Sequence, residues 1–295
     1  MNTLHPAVVA EMADRKMRLA HLGWHGIRET WRKLSEVQKT ELRRLFRHFG
    51  WDDPRPSMDE QGNLIRGQGA GLDFLYMHRH MIEMVNGILT SHGAVPLEGW
   101  KEPPRVRDPN YPVPTGLGYT QAEFPTKNDE HWACCLCDAR RFDDQSYLRG
   151  ITLDLLGTEI EYGIHAAMHT RFGAFCEIGY RPSSAGGVII VDPKWDDPAY
   201  DSLFDPYSSH VHPWFWKIHG WVDSRITAWE QANGKHAIWQ NVWMGPMHHV
   251  HAHGAAHGAH LLDALEGQAG ILLATDPLSG VFMPRVFPYS RVLVE

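Results

Sequence analysis

Cysteine is scarce: four residues in 295, three of them crowded into CCLC at Cys134, Cys135 and Cys137, with Cys176 apart. So few cannot build a disulfide framework for a chain of this size, and they are compatible with a reducing compartment. Long apolar runs are lacking as well. No stretch approaches the roughly 18 apolar residues that span a bilayer, and the opening MNTLHPAVVAEMADRK lacks the basic-then-apolar order of a secretory signal. A cytoplasmic location without a membrane partner is expected. Excess positive charge is also missing. A formal net charge of −7 and a pI near 6.3 offer no basic face, so nucleic acid is excluded as an expected partner. What is abundant is histidine, with 20 residues, far beyond its usual minor share.

The length suits one elaborated domain. Apolar residues from Pro6 to about Leu34 recur mostly at spacings of three, four or seven, which predicts one long helix with a buried face. A second helix is predicted from the N-cap Ser35 to about His48, ending near Gly50. Helical spacing returns over Leu72–Thr90 and roughly Tyr147–Arg171. A further helix begins at Pro213, suited to a first turn, and runs to Gly234. Val95–Thr126 is rich in Pro and Gly and reads as irregular. GVIIV, residues 187–191, is a strand candidate, and GILLATDPLSGVFMPRVFPYSRVLVE at the C-terminus looks β-like. The expected fold class is mainly α: a helical domain over 1–235 with an irregular insertion at about 95–145. Residues 236–295 are then a histidine-rich segment and C-terminal extension packed on the same domain.

The predicted helices carry histidines in positions that suit a metal. His165 and His169 lie four apart, so on a helix both imidazoles leave one face and can grip one ion. His21 and His25 repeat the spacing, and His78 and His219 stand singly on later helices. Ligation by imidazole alone suits copper, zinc or iron. HAAMH has alanine where the zinc-peptidase pattern HExxH has its general base, which removes that reading. For the cluster His248, His249, His251, His253, His257 and His260, a solvated segment stands against metal capture or storage.

HPWFWKIHGWVDSRITAW, His212 to Trp229, resembles the second copper-site segment of the type 3 copper family, the tyrosinases, catechol oxidases and hemocyanins. Pro213, Phe215, His219, Val222, Asp223 and Trp229 fall in step with that pattern. The HxxxH of EYGIHAAMH matches the first pair at the same copper, and LDFLYMHRHMIEM resembles the segment that supplies the third ligand of the other copper. The resemblance implies two copper ions in a four-helix bundle, one held by His21, His25 and His78 and the other by His165, His169 and His219. His48 is an alternative to His21 or His25.

The implied activity is oxidation of ortho-diphenols or ortho-aminophenols to quinone-type products with O2. Phenol hydroxylation stays open, because Ala166 stands where many hydroxylating members carry a polar residue; Glu159 and Glu161 are candidate proton acceptors instead. A small aromatic substrate would meet a wall that includes Phe215 and Trp216. The resemblance further implies that Asp223 anchors the helices by an arginine, with Arg79 and Arg225 as candidates, and that a cysteine of CCLC could approach a ligand. Two alternatives remain, a hemocyanin-like dioxygen carrier and a metal store built on the histidine-rich segment.

Overall fold

The apolar period over Pro6–Leu34 is two helices, not one: α1 is Pro6–Met12 and α2 is Arg15–Thr30. Asp14 separates them. Its backbone turns extended at φ −57° and ψ 135°, and its carboxylate accepts from Lys16 N, supplying one of the donors that a helix start leaves without a partner. This is a computed structural model, and it describes residues 3–114, 124–174, 184–185, 188–189, 191–250 and 255–275.

The next helix, α3 (Glu36–Leu45), starts at Ser35 in a reciprocal cap with Gln38 and is followed by a 3-10 turn at Arg47–Phe49 and by Gly50 at φ +69°. Helix α4 (Ala70–Ser91) is capped from a distance. The Asp154 carboxylate accepts from the backbone N–H groups of Gly69, Gly71 and Leu72. The predicted insertion at about 95–145 is not irregular throughout, because α5 occupies Asp129–Ala139, capped by Asn128. The expected Tyr147–Arg171 helix is divided into α6 (Gln145–Gly150), α7 (Leu153–Ile160), a π turn at Glu161–His165 and α8 (Ala166–Phe172). Within GVIIV, Val188–Ile189 (β2) pairs antiparallel with Ser184–Ala185 (β1). Helix α9 is Pro213–Asn233, closed by Gly234 in the left-handed region.

The C-terminal reading is corrected in part. After a short α10 (Met247–Val250), α11 runs from Ala255 to Thr275 and takes up the GILLAT that looked β-like. The remainder of the β-like stretch, 276–295, lies outside the described residues. Leu261, Leu265, Ala269 and Leu272 of α11 are buried, and Gln268 lies against Gly23 of α2.

Two features fix how the histidine-bearing helices meet. Helices α4 and α7 cross at Gly71 and Gly157, where a Cβ on Gly71 would stand 1.9 Å from Asp154 O and one on Gly157 2.2 Å from Gly71 O. Only glycine allows so close an approach of two backbones. Helix α9 is buried on most sides through Phe215, Trp216, Ile218, Trp221, Val222 and Ile226, so it behaves as an interior helix. Trp24, Trp132, Trp216 and Trp221 are among the largest wholly buried side chains. Each removes on the order of 200 Å² from water, a gross contribution of about 5 kcal/mol. Among the described residues, no helix is long and apolar enough to cross a membrane.

Candidate metal centre

Six histidines from four parts of the chain converge in the interior, and none is more than 3% exposed: His21 and His25 from α2, His78 from α4, His165 and His169 at the π turn and α8, and His219 from α9. The i,i+4 spacing of His21 and His25 sets their rings 4.8 Å apart, centre to centre. For His165 and His169 the separation is 4.6 Å. The two pairs face each other across His78, whose ring lies 6.3 Å from His21, 5.7 Å from His25, 5.7 Å from His165 and 4.1 Å from His219.

The π turn is what aims His165. Gly163 leaves helical geometry at φ −103° and ψ −112°, and a π bulge rotates the residues after it relative to those before it. The turn is tied down by a buried ion pair: Arg28 of α2 donates to both Glu161 oxygens, at 2.5 and 2.9 Å, and to Ala70 O at 2.6 Å. Burial works against the Arg28 charge, but the facing Glu161 carboxylate outweighs it and raises its pKa.

Proton positions follow from the acceptors. Nδ1 meets a backbone carbonyl oxygen in five of the six rings: His21 with Pro206 at 2.6 Å, His78 with Phe74 at 2.9 Å, His165 with Glu161 at 3.1 Å, His169 with Leu203 at 2.8 Å and His219 with Phe215 at 2.7 Å. A carbonyl oxygen can only accept, so each Nδ1 carries the proton. Burial also pushes these rings away from a second proton: the pKa of His21 falls to about 4 and that of His165 to about 3, while His25, His78, His169 and His219 fall well below the ordinary imidazole value. Neutral rings protonated on Nδ1 present Nε2 as a lone pair.

Those lone pairs point at one another. His165 Nε2 and His219 Nε2 are 2.9 Å apart, and with both Nδ1 protons committed there is no hydrogen to place between them. The Nε2 atoms of His21 and His78 are buried with no hydrogen-bond partner among the described residues. Such an arrangement is unfavourable on its own and favourable around a cation. Two groups of ligand atoms lie within 4.8 Å of one another: His21, His25 and His78, and His78, His165 and His219. The first is the set expected for one metal. The second differs from expectation, with His78 in place of His169; the His169 ring remains 5.3 Å from that of His219. The residues fit a metal: all donors are imidazole, and neither compact group contains cysteine or carboxylate.

Other expected roles change. His48 is exposed on the 3-10 turn after α3 and lines a surface groove with Arg44, Phe49, His260 and Asp263, so it does not replace His21 or His25. Glu161 is committed to Arg28, and Glu159 accepts from Tyr147 and pairs with Arg141; both carboxylates are engaged by other groups. Phe215 is wholly buried, its ring 3.8 Å from that of His219 and 5.5 Å from that of His21, so it is a packing wall between rings rather than the lip of a mouth. Asp223 pairs with Arg79 at 2.6 Å, whereas Arg225 pairs with Asp143. Cys134, Cys135 and Cys137 sit on α5, not in a loop, and join neither histidine group; Cys176 lies outside the described residues. Of the histidine-rich segment, His248 and His260 are exposed, while the side chains of His249, His251, His253 and His257 lie outside the description.

One residue escaped the sequence reading. His210, on a 3-10 turn at Ser209–Val211, is wholly buried with its ring 4.6 Å from that of His21. The carbonyls of Met12 and Pro206 face it, yet neither ring nitrogen reaches hydrogen-bond geometry. Nothing about His210 in the stretch SHVHP, two residues before His212, could have signalled this. No protein-family model matches the chain, and no curated protein is similar to it. Function therefore has to be argued from the geometry of these residues.

Proposed function

We propose that the four histidine-bearing parts form the bundle of a type 3 copper site, and that the protein is a dicopper oxidase using O2 on ortho-diphenols or ortho-aminophenols. The single observation that carries this reading is the convergence of neutral, Nδ1-protonated imidazoles whose Nε2 lone pairs face a common space. One group would be His21, His25 and His78, the other His165, His169 and His219, with His78 within reach of both. Two copper ions would supply the two electrons that O2 takes up, and ligation by imidazole alone suits copper.

The chain's own groups do the remaining work. Backbone carbonyls of Pro206, Phe74, Glu161, Leu203 and Phe215 hold the tautomer and the ring plane. Phe74 and Phe215, packed on the ligand rings, keep water from the reacting space. Phenol hydroxylation is the less supported branch, since Glu161 is tied to Arg28 and Ala166 offers no polar group.

A specific observation favours a second reading, reversible O2 binding: all six imidazoles are at most 3% exposed, a degree of closure that suits a carrier shielding its metals from phenols. One experiment separates the two. The chain is loaded with Cu(I) without air, its copper measured, then exposed to O2 and to catechol. The dicopper reading expects about two coppers per chain and an O2-dependent near-ultraviolet band. Turnover of catechol selects the oxidase; a reversible band without turnover selects the carrier. Substantially fewer coppers, or no band, would overturn both.

A further inference from the structure

Tryptophan is as conspicuous as histidine in this chain, with 12 residues, and three of them form a line from the candidate centre outward. The Trp24 ring is 4.9 Å from that of His25 and 5.9 Å from that of His78. Trp243 stacks on Trp24 at 6.3 Å and an interplanar angle of 28°, and Trp51 meets Trp243 edge-on at 5.6 Å. Trp24 is wholly buried, Trp243 is 6% exposed and Trp51 is half-buried. Trp51 and Trp243 line an open cleft of about 320 Å³ together with Asp52, Tyr76 and Met244. Among the described residues the ring beyond Trp51 is Phe46, at 4.6 Å, which does not extend the line of indoles.

We propose that Trp24, Trp243 and Trp51 are a single-electron relay between the cleft and the metal centre, through which a soluble organic two-electron reductant, with the enediol ascorbate as the probe, discharges O2-derived oxidising equivalents when no phenol is bound. The inference rests on the dicopper reading above. Indole is among the most readily oxidised side chains and benzene rings are not, so Phe74 and Phe215, which pack on other ligand rings, offer no competing route. Transfer between rings this close outruns transfer across the whole span in one step.

The surroundings suit reversible oxidation. Among the described residues Nε1 of Trp24 and of Trp51 has no hydrogen-bond partner, so loss of the indole proton from a radical cation at the wholly buried Trp24 is slowed. The guanidinium of Arg28 lies 4.1 Å over the Trp24 ring. Alone it would oppose a positive charge on that indole, but Glu161 neutralises it. Trp243 is fixed by its Nε1 donating to Asp52 O at 2.8 Å and its backbone N donating to Asp73 at 2.6 Å.

The electron count closes. With metal and O2 bound at the histidine groups, Trp24 would give up one electron toward them, be refilled by Trp243, which is refilled by Trp51, which takes an electron from the reductant in the cleft. Two passes carry two electrons from the enediol, two protons follow through solvent, and the net reaction turns O2 and ascorbate into hydrogen peroxide and dehydroascorbate.

The test uses the copper-loaded full chain, with copper content measured first, cycled with O2 and limiting ascorbate without phenol. Freeze-quench electron paramagnetic resonance then looks for an indole radical, and peptide mass mapping locates oxygenated side chains. The wild type is expected to show the radical and to accumulate oxygenation at Trp51. Trp243→Phe should keep its copper, lose oxygenation at Trp51 and move damage to Trp24 and His25. Trp243→Tyr, which restores an oxidisable ring, should recover part of the Trp51 signal even if both variants are less stable. Unchanged oxygenation of Trp51 in Trp243→Phe would mean attack from solvent and would overturn the relay. Absence of any radical despite bound copper and an O2 band would overturn it too, leaving the dicopper reading standing. Failure to bind copper would instead remove the dicopper reading and the relay with it.

Discussion

At the scale of single residues, the decisive quantity is which ring nitrogen carries the proton. The histidines themselves could be read from spacing, as His165 with His169 and His21 with His25 show, but their acceptors could not. Leu203 and Pro206 lie in a loop far from α8 and α2, and any residue type can offer a carbonyl. His78 belongs to both compact groups, which gives a test of the metal assignment. His219→Ala should lower bound metal from about two ions per chain to about one, whereas His78→Ala should reduce both sites and fall further; elemental analysis of dialysed protein measures this. His210 predicts the opposite kind of result. Its imidazole is buried, with the Met12 and Pro206 carbonyls facing it outside good hydrogen-bond geometry, so they return only part of the free energy that burial costs. His210→Phe should therefore leave metal content unchanged and raise the stability of the metal-free chain by about 1 kcal/mol, read from the urea midpoint. A loss of metal would show that His210 takes part in the site.

At the scale of helices, what was legible is what local chemistry dictates. The N-cap Ser35, Pro213 at the start of α9 and Gly234 at its end appear where the sequence places them. The break before α2 was missed because the apolar period runs on through Asp14, and only the cap hydrogen bond to Lys16 reveals it. Helix α11 was misread because a short apolar run such as GILLA fits a strand or a buried helix equally well. Its docking on α2 places Gln268 in the space above Gly23, which lies between His21 and His25 in the chain but on the opposite side of the helix from their rings. A Cβ at Gly23 would stand 2.0 Å from Gln268 Nε2, and Gln268 is wholly buried. Gly23→Ala alone should lower thermal stability by pushing α11 away. Adding Gln268→Ala should recover the loss and leave the chain at or slightly above wild type, since alanine in a helix is worth about 1 kcal/mol over glycine. Calorimetry of the single and double variants checks it, and equal losses in both would show that the contact is not what separates the helices.

At the scale of the whole molecule, concentrating neutral imidazoles in the core makes the fold depend on pH in one direction. His21 and His165 have their pKa lowered from 6.5 to about 4 and about 3, in both cases chiefly by burial. Above pH 6.5 these rings are neutral in the folded and unfolded chains alike, so they add no pH dependence. As the pH falls below 6.5 the unfolded chain takes up protons that the folded chain refuses, and equilibrium shifts toward unfolding. The slope is at most about 1.4 kcal/mol per pH unit for each such histidine, and it persists until the folded pKa is reached, near pH 4 for His21 and near pH 3 for His165. The other buried histidines of the candidate centre share the direction, so the metal-free chain should unfold cooperatively on mild acidification. A bound cation changes the balance because it occupies the same Nε2 lone pairs that a proton would take, and it binds the preformed folded site more tightly than the unfolded chain. Urea titrations at pH 7.5, 6 and 5, with and without copper, should show a steep loss of stability for the metal-free chain and a shallower one, displaced to lower pH, for the loaded chain. Parallel curves would mean that the metal is held elsewhere than on these six rings.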